Sequence, residues 1–240
     1  MIKSWSYSKL LDAEQCMLRV KYKHIDHIPE AKAPAAERGT QIHQMAEDYV
    51  SGKLKKLPPE LRHFATEFDV LKHAFKSNNV SLEGEWGFDA EWLPTAYKTA
   101  WLRMKGDAIL FQGNAAVVVD YKTGQSYGNE IKHGEQCLLY AIATFIRYPE
   151  LDSITVELWY LDKDELTQKT YTRFEALRYV QTFTKRANKL VGATEFPPNA
   201  NWITCKWCSF GPAKGGQCPY GVTPGVMPTN TIGDYRKKFG

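Results

Sequence analysis

The sequence predicts an α/β fold, a central mixed β-sheet flanked by helices, and three stretches carry that prediction. The first is Met104 to Gly124, MKGDAILFQGNAAVVVDYKTG, which reads as two strands joined by a tight turn. Ala108 to Phe111 is a short apolar run, Gln112-Gly113-Asn114 can take the positive backbone angles of a hairpin turn, and Ala115 to Val119 is apolar and largely β-branched. A run apolar at every position predicts a strand buried on both faces, inside the sheet rather than at its edge. The second stretch, Glu135 to Arg147 (EQCLLYAIATFIR), predicts an almost wholly apolar helix packed across the sheet. The third is Ile154 to Leu161, which alternates as a strand, with Gln168 to Thr172 as its hairpin partner across the Asp162-Lys163-Asp164 turn.

The remaining elements follow in chain order. Ser6 to Tyr22 reads as one helix, capped by Ser6 or Ser8, with Leu10, Leu11, Met17, Leu18 and Val20 on its apolar side. Cys16 lies within it and, taken alone, reads as a small buried residue. His27 to Ala36 is a Pro- and Ala-rich loop. Ala36 to Gly52 predicts a helix ended by Ser51-Gly52, its stripe formed by Ile42, Met45, Ala46, Tyr49 and Val50. His43 falls at the stripe's edge, the usual place of a half-buried packing histidine. A helix is expected from Pro59 to Ser77 and a strand signal from Val80 to Trp92, where Glu83 and Glu85 mix with aromatics. Ser126 to Gly134 is polar and expected to be mobile. Phe174 to Leu190 predicts a helix whose Arg178, Lys185, Arg186 and Lys189 read as a solvated face. Beyond Gly221 the Pro/Thr/Gly-rich tail, residues 222–240, is expected to be poorly ordered.

With 240 residues, 43% hydrophobic and 24% charged, the chain has the composition of an ordinary globular protein. Its net charge of +4 permits a polyanionic partner without arguing for one, since the basic residues are spread along the chain. The first residues lack the apolar core of a signal peptide, and the longest apolar stretch, Leu138 to Ile146, is too short to span a bilayer. A cytoplasmic protein is expected (host cytoplasm for a phage-encoded one), its five cysteines reduced or bound to metal.

Two constellations carry chemistry. Asp120 and Lys122 end a buried strand on the same face, and hairpin pairing brings Asp107 close to Asp120. Such charges are costly to bury without a partner or a function. They read either as a structural Asp–Lys pair or as a hard-cation site for Mg²⁺ or Mn²⁺. At the other end, Cys205-Lys-Trp-Cys208 followed by Cys218 reads as a metal clasp that lacks one ligand, and Cys16 fits that need.

These residues together resemble the PD-(D/E)XK nuclease superfamily, in its RecB-like/Cas4-like exonuclease branch. The resemblance runs from Ser6 to Pro219 with the motifs in the family's order. Gly39-Thr40-Gln41-Ile42-His43 resembles its G-x-x-x-H helix, and Gly106-Asp107 its hairpin aspartate. Asp120-Tyr121-Lys122 matches the D-x-K, Gln136-x-x-x-Tyr140 the RecB-type signature, and Cys16 with Cys205, Cys208 and Cys218 a C…CxxC…C set. The resemblance implies a restriction-endonuclease-like core with a cysteine-clamped helical margin joining the termini, a single domain over residues 1–221. It implies a metal-dependent DNA exonuclease serving recombination, repair or phage DNA processing. In that scheme His43, Asp107, Asp120 and the Tyr121 main-chain carbonyl bind Mg²⁺ or Mn²⁺, and Asp107, Asp120 and Lys122 are catalytic. Glu85, with Glu83 as fallback, is a further acid, and Gln136 and Tyr140 position DNA. The four cysteines hold a [4Fe–4S] cluster. Zinc and free thiols stay open, because the Gly211 to Gly216 insert lengthens the spacing before Cys218. DNA, linear with ends or single-stranded, is the implied partner; a recombinase or helicase and a second copy of this chain are compatible with it. A Cas4-type CRISPR adaptation nuclease shares every motif. A restriction-type endonuclease shares the D-x-K but needs neither Gln136-x-x-x-Tyr140 nor the cysteines, and a non-catalytic DNA-binding or assembly subunit would not need the full residue set.

Overall fold

A computed structural model describes residues 1–30, 34–124, 126–216 and 218–223, with Glu83 described by its backbone alone. In chain order the elements are α1 (Tyr7–Gln15), α2 (Met17–His24), α3 (Pro34–Val50), a 3-10 turn (Pro59–Phe64), α4 (Ala65–Lys76), β1 (Val80–Phe88), β2 (Pro94–Thr95), β3 (Leu102–Gln112) and β4 (Ala115–Lys122). They continue with α5 (Glu130–Arg147), β5 (Ser153–Tyr160), β6 (Glu165–Thr172), α6 (Arg173–Leu177), α7 (Val180–Asn188), α8 (Trp202–Lys206) and a short 3-10 turn (Pro212–Lys214). The tail beyond Thr223 lies outside the described residues.

The six strands form one mixed sheet in the order β2-β1-β3-β4-β5-β6. The predicted hairpin is its centre: β3 and β4 pair antiparallel from Gln112↔Ala115 to Ala108↔Val119, and Gly113, at φ 61°, turns the chain with Asn114. β4 and β5 are parallel, so the chain must cross over between them, and α5 is that crossover. Both faces of β4 are covered, which explains its unbroken apolar run. Val119 and Tyr121 pack in a cluster with Ile42, Ala46 and Tyr49 of α3 and with Phe68 and Leu71 of α4. Alternation then turns Asp120 to the opposite face, towards α5.

Four predicted helices are corrected. Ser6 to Tyr22 is broken at Cys16, which is extended (φ −166°, ψ 113°) and precedes α2. Phe174 to Leu190 breaks after Leu177, and α6 starts at a Thr172/Glu175 capping box. The helix expected from Glu135 begins at Glu130, so Glu130 to Gly134 is helical rather than mobile. Gly134 costs a helix interior about 1 kcal/mol relative to Ala. The buried turns from Cys137 to Phe145 offset that locally unfavourable choice. Pro59 to Phe64, expected to be α-helical, is the 3-10 turn leading into α4.

The chain divides into two compact units. One comprises Lys3–Tyr7 and Lys32–Lys189 and holds the whole sheet. The other comprises Met1–Ile2, Ser8–Ala31 and Leu190–Gly240, as far as these are described, and holds four of the cysteines. None of the helices among the described residues is long and apolar enough to cross a membrane.

Candidate active site

Within the sheet unit, α3, β3, β4 and α5 each contribute to one cluster. Asp107 and Asp120 each lie one residue beyond Ala108↔Val119, the last pair of the hairpin ladder. Asp107 is held by both oxygens: Oδ1 lies 2.9 Å from His43 Nδ1, and Oδ2 accepts the Tyr121 backbone N–H at 2.7 Å. Gly39 lets α3 approach the strand end, since a Cβ there would stand 3.1 Å from Thr123 Oγ1. Lys122 Nζ lies 2.5 Å from Asp120 Oδ2 and donates to Gln136 Oε1 at 2.9 Å. The Tyr140 hydroxyl lies 2.8 Å from Asp120 Oδ1 and 2.9 Å from the Lys105 carbonyl, and accepts from Gln136 Nε2 at 3.2 Å. Gln136 and Tyr140 meet because they are one helical turn apart.

The electrostatics follow from burial and crowding. Burial raises the Asp107 carboxyl above its ordinary value and the Asp120 charge adds to this, against the bonds from His43 and the Tyr121 N–H. Burial alone would lower His43, but the bond to Asp107 and the charges of Asp107 and Asp120 outweigh it, so His43 is raised. Tyr140 is held well above the phenol range, first by burial and then by the Asp120 charge, so its hydroxyl stays a donor.

The donor set fits a hard divalent cation: two carboxylates and one imidazole at a strand end. Asp120 Oδ2 is buried and receives no directed hydrogen bond, despite its close ion pair with Lys122. An oxygen left with charge alone suits a cation. Among the described residues, no three His, Cys, Asp or Glu side chains are already disposed around a common metal position. His43 and Asp107 bond each other, and Asp120 is paired with Lys122, so loading a metal requires these pairs to open.

Other predicted residues separate from this cluster. The Glu85 carboxylate bonds Lys105 Nζ at 2.9 Å on the neighbouring strand and is half exposed, and it is not joined to the Asp107–Asp120 group. The Glu83 side chain lies outside the described residues. His133, which sequence reasoning passed over, donates to or accepts from the Tyr160 hydroxyl at 2.6 Å. Burial and then the Lys122 charge lower its pKa, so it lies within electrostatic reach of the cluster. The available signal was its spacing, one helical turn before Gln136, hidden by starting the helix too late.

In the cysteine unit, Cys16, Cys205, Cys208 and Cys218 line one cavity, while Cys137 is buried in α5 and pushed up to about 12 by burial. The Gly-rich insert is what allows Cys218 to arrive there. A Cβ on Gly211 would stand 2.7 Å from the Cys205 carbonyl oxygen, and one on Gly216 2.2 Å from the Phe210 carbonyl carbon, so the backbone can fold back only with glycine at both places. The Cys218 N–H then bonds the Phe210 carbonyl at 2.9 Å, and the Asn199 N–H reaches Cys16 Sγ at 3.4 Å. The four thiols share one cavity and are of the donor type that soft metals take, but among the described residues no three of them already stand around a common metal position.

Comparison with known proteins adds a family. The crystal structure of SSO0001 is similar over 93% of this chain and 89% of its own, at 18% identity and a TM-score of 0.46. A Eubacterium rectale protein provisionally named an exonuclease is similar over 86% of both chains, at 14% identity and a TM-score of 0.47. No curated protein matches the sequence significantly. The family model of the PD-(D/E)XK nuclease superfamily matches residues 4–110 and 102–213, which contain the whole cluster from His43 to Tyr140. The chain belongs to the PD-(D/E)XK nuclease superfamily.

Proposed function

We propose that the chain is a metal-dependent DNA exonuclease that hydrolyses phosphodiester bonds in recombination, repair or phage DNA processing. The observation that supports this best is the convergence of His43, Asp107, Asp120 and Lys122, drawn from α3, β3 and β4, around one strand end. His43, Asp107, Asp120 and the Tyr121 main-chain carbonyl would hold Mg²⁺ or Mn²⁺. Such an ion supplies Lewis acidity towards a phosphate oxygen and makes a water easier to deprotonate. Lys122 presents a positive charge that orients the attacking water or neutralises the scissile phosphate. Gln136 holds the Lys122 ammonium through its Oε1, and Tyr140 holds the Asp120 carboxylate. Both therefore act on the geometry of the cluster from α5, and Gln136, only partly buried, is the one of the two that can also touch a strand.

The test is digestion of end-labelled linear DNA beside covalently closed circles, with Mg²⁺ or Mn²⁺. Degradation of linear DNA alone, abolished in Lys122→Ala and Asp120→Ala while DNA binding survives, is expected. Cutting of circles would instead identify an endonuclease. No metal-dependent cleavage of either by folded protein would leave a DNA-binding or assembly subunit.

The cysteine unit is proposed to hold a [4Fe–4S] cluster, with zinc as the competing occupant. The support is four thiols lining one cavity. Protein prepared without oxygen is expected to contain iron and sulfide and to absorb visible light. Stoichiometric zinc with no iron would decide for zinc, and neither for free thiols.

A further inference from the structure

The cysteine unit carries an exposed aromatic surface that neither the hydrolytic cluster nor the thiols use. Of the other tryptophans, Trp5, Trp86, Trp92 and Trp159 are 5% exposed or less and Trp101 is partly buried. In and just after α8 the opposite holds, with Trp202 51%, Ile203 62% and Trp207 67% exposed. Cys205 and Cys208, on the same segment, point inward and are buried. The exposure of the two indoles is therefore set by the same short helix that directs the cysteines into the cavity. Burying an indole rewards folding, and leaving two in water forgoes that gain.

Charge distinguishes what this surface would take. The Lys206 ammonium lies 5.0 Å from the Trp207 ring centroid and the Lys214 ammonium 5.5 Å from it, so two cations stand close to the exposed ring. From Phe196 to Gly233 the sequence contains no Asp or Glu at all. The carboxylate that does reach this segment, Glu30 at 3.1 Å from Ser209 Oγ, is paired with Lys23. An aromatic face with two ammonium groups near its exposed ring is therefore suited to a ligand that is flat and apolar in one part and anionic in the next. Unpaired nucleotides have that character: the base stacks and the phosphate meets the amine. A paired duplex offers the phosphates but hides the base faces.

We propose that Trp207, with Trp202, Lys206 and Lys214, is a stacking site for single-stranded nucleic acid. The proposal rests on the nuclease reading for its choice of ligand. Bases stack on the indole faces, and the two lysines meet the phosphates on either side.

The test is binding of an oligothymidylate carrying 5-iododeoxyuridine to the intact protein, without added Mg²⁺ or Mn²⁺, followed by photo-crosslinking and mass spectrometry of the joined peptide. Crosslinks at Trp207 or Trp202 are expected. Trp207→Ala should weaken binding of the strand about tenfold, and Trp207→Phe, which keeps an aromatic face, should recover much of that loss. An abasic oligonucleotide should bind Trp207→Ala and the unaltered protein alike. Reversing Lys206 or Lys214 to Glu should lower the salt dependence of binding by about one phosphate contact each. Crosslinks only outside this segment, or equal affinity in Trp207→Ala and the unaltered protein, would overturn the proposal. So would a Trp207→Ala protein that binds the strand normally but loses self-association, since that would make the surface a protein interface. The two readings fail separately. A protein that crosslinks at Trp207 yet cuts no DNA upholds the surface and sinks the nuclease assignment, whereas one that cuts DNA without using Trp207 does the reverse.

Discussion

The Tyr140 hydroxyl carries one proton and stands within reach of two acceptors, Asp120 Oδ1 and the Lys105 carbonyl. Because its pKa is far above the phenol range, it remains a donor at every working pH and so holds the Asp120 carboxylate in a fixed orientation. Tyr140→Phe keeps the ring and removes that hold. Cleavage is expected to fall about 10- to 100-fold, the usual effect of losing a group that orients a metal ligand, while the thermal midpoint changes little; steady-state rates and a melting curve check both. At the cluster proposed to hold the cation, protons would compete with the metal. In the metal-free protein both His43 and Asp107 have raised pKa values, so folding favours their protonated forms. Their contribution to stability is present below the unfolded-state pKa of each group and is lost as pH rises through its raised folded value. Metal binding requires those protons to leave, so it has the opposite sign. The rise in melting temperature on adding Mn²⁺ is therefore expected to be larger at about pH 8 than at about pH 6. An equal rise at both would mean that neither group is a ligand.

β4 and the elements beside it show what sequence can and cannot reveal. Its run from Ala115 to Val119 was legible because burial on both faces leaves no polar position, and the period of two then placed Asp120 and Lys122 on one side. The same reading expected hairpin pairing to bring Asp107 close to Asp120, and the turn proved one residue tighter than expected, Gln112 pairing with Ala115. What was not legible depends on contacts distant in sequence. The break at Cys16 leaves no local mark, because Cys and its neighbours are all tolerated in helices. The start of α5 at Glu130 was masked by Gly134 and by polar residues that the buried turns after them outweigh. Glu85 carried the right charge on the right strand, but its register opposite Lys105 gives it a different partner. Two substitutions test this level. Leu158 on β5 is fully buried and lies beside Asp120 in the parallel register, so Leu158→Ala should cost about 2–5 kcal/mol in urea unfolding with an unchanged slope. Gly216→Ala puts a Cβ into the Phe210 backbone, and the expected result is faster alkylation of Cys205, Cys208 and Cys218 with the sheet unit's melting unaffected.

At the scale of the whole molecule, one unit is drawn mainly from a continuous stretch and the other from both ends of the chain. Leu18, Val20 and Tyr22 in the N-terminal part share their unit with Cys205, Cys208 and Phe210 in the C-terminal part, and the Tyr22 and Phe210 rings meet at 5.3 Å. The N-terminal stretch Ser8–Ala31 is too short to bury a core of its own. A chain stopped after Lys189 is expected to lose hydrogen-exchange protection in α2 while β3, β4 and β5 keep theirs; protection retained in α2 would show that it needs no C-terminal partner. The crossover of α5 between two parallel strands has a consequence for the living cell. The side chains of the cluster are spread from His43 to Tyr140, and β4 gains its second neighbour only when β5 has been made, at Tyr160. No shorter piece of the chain contains both the full set of side chains and the strand that braces them. The activity proposed for the cluster is therefore expected to appear only once synthesis has passed Tyr160 and the sheet can close.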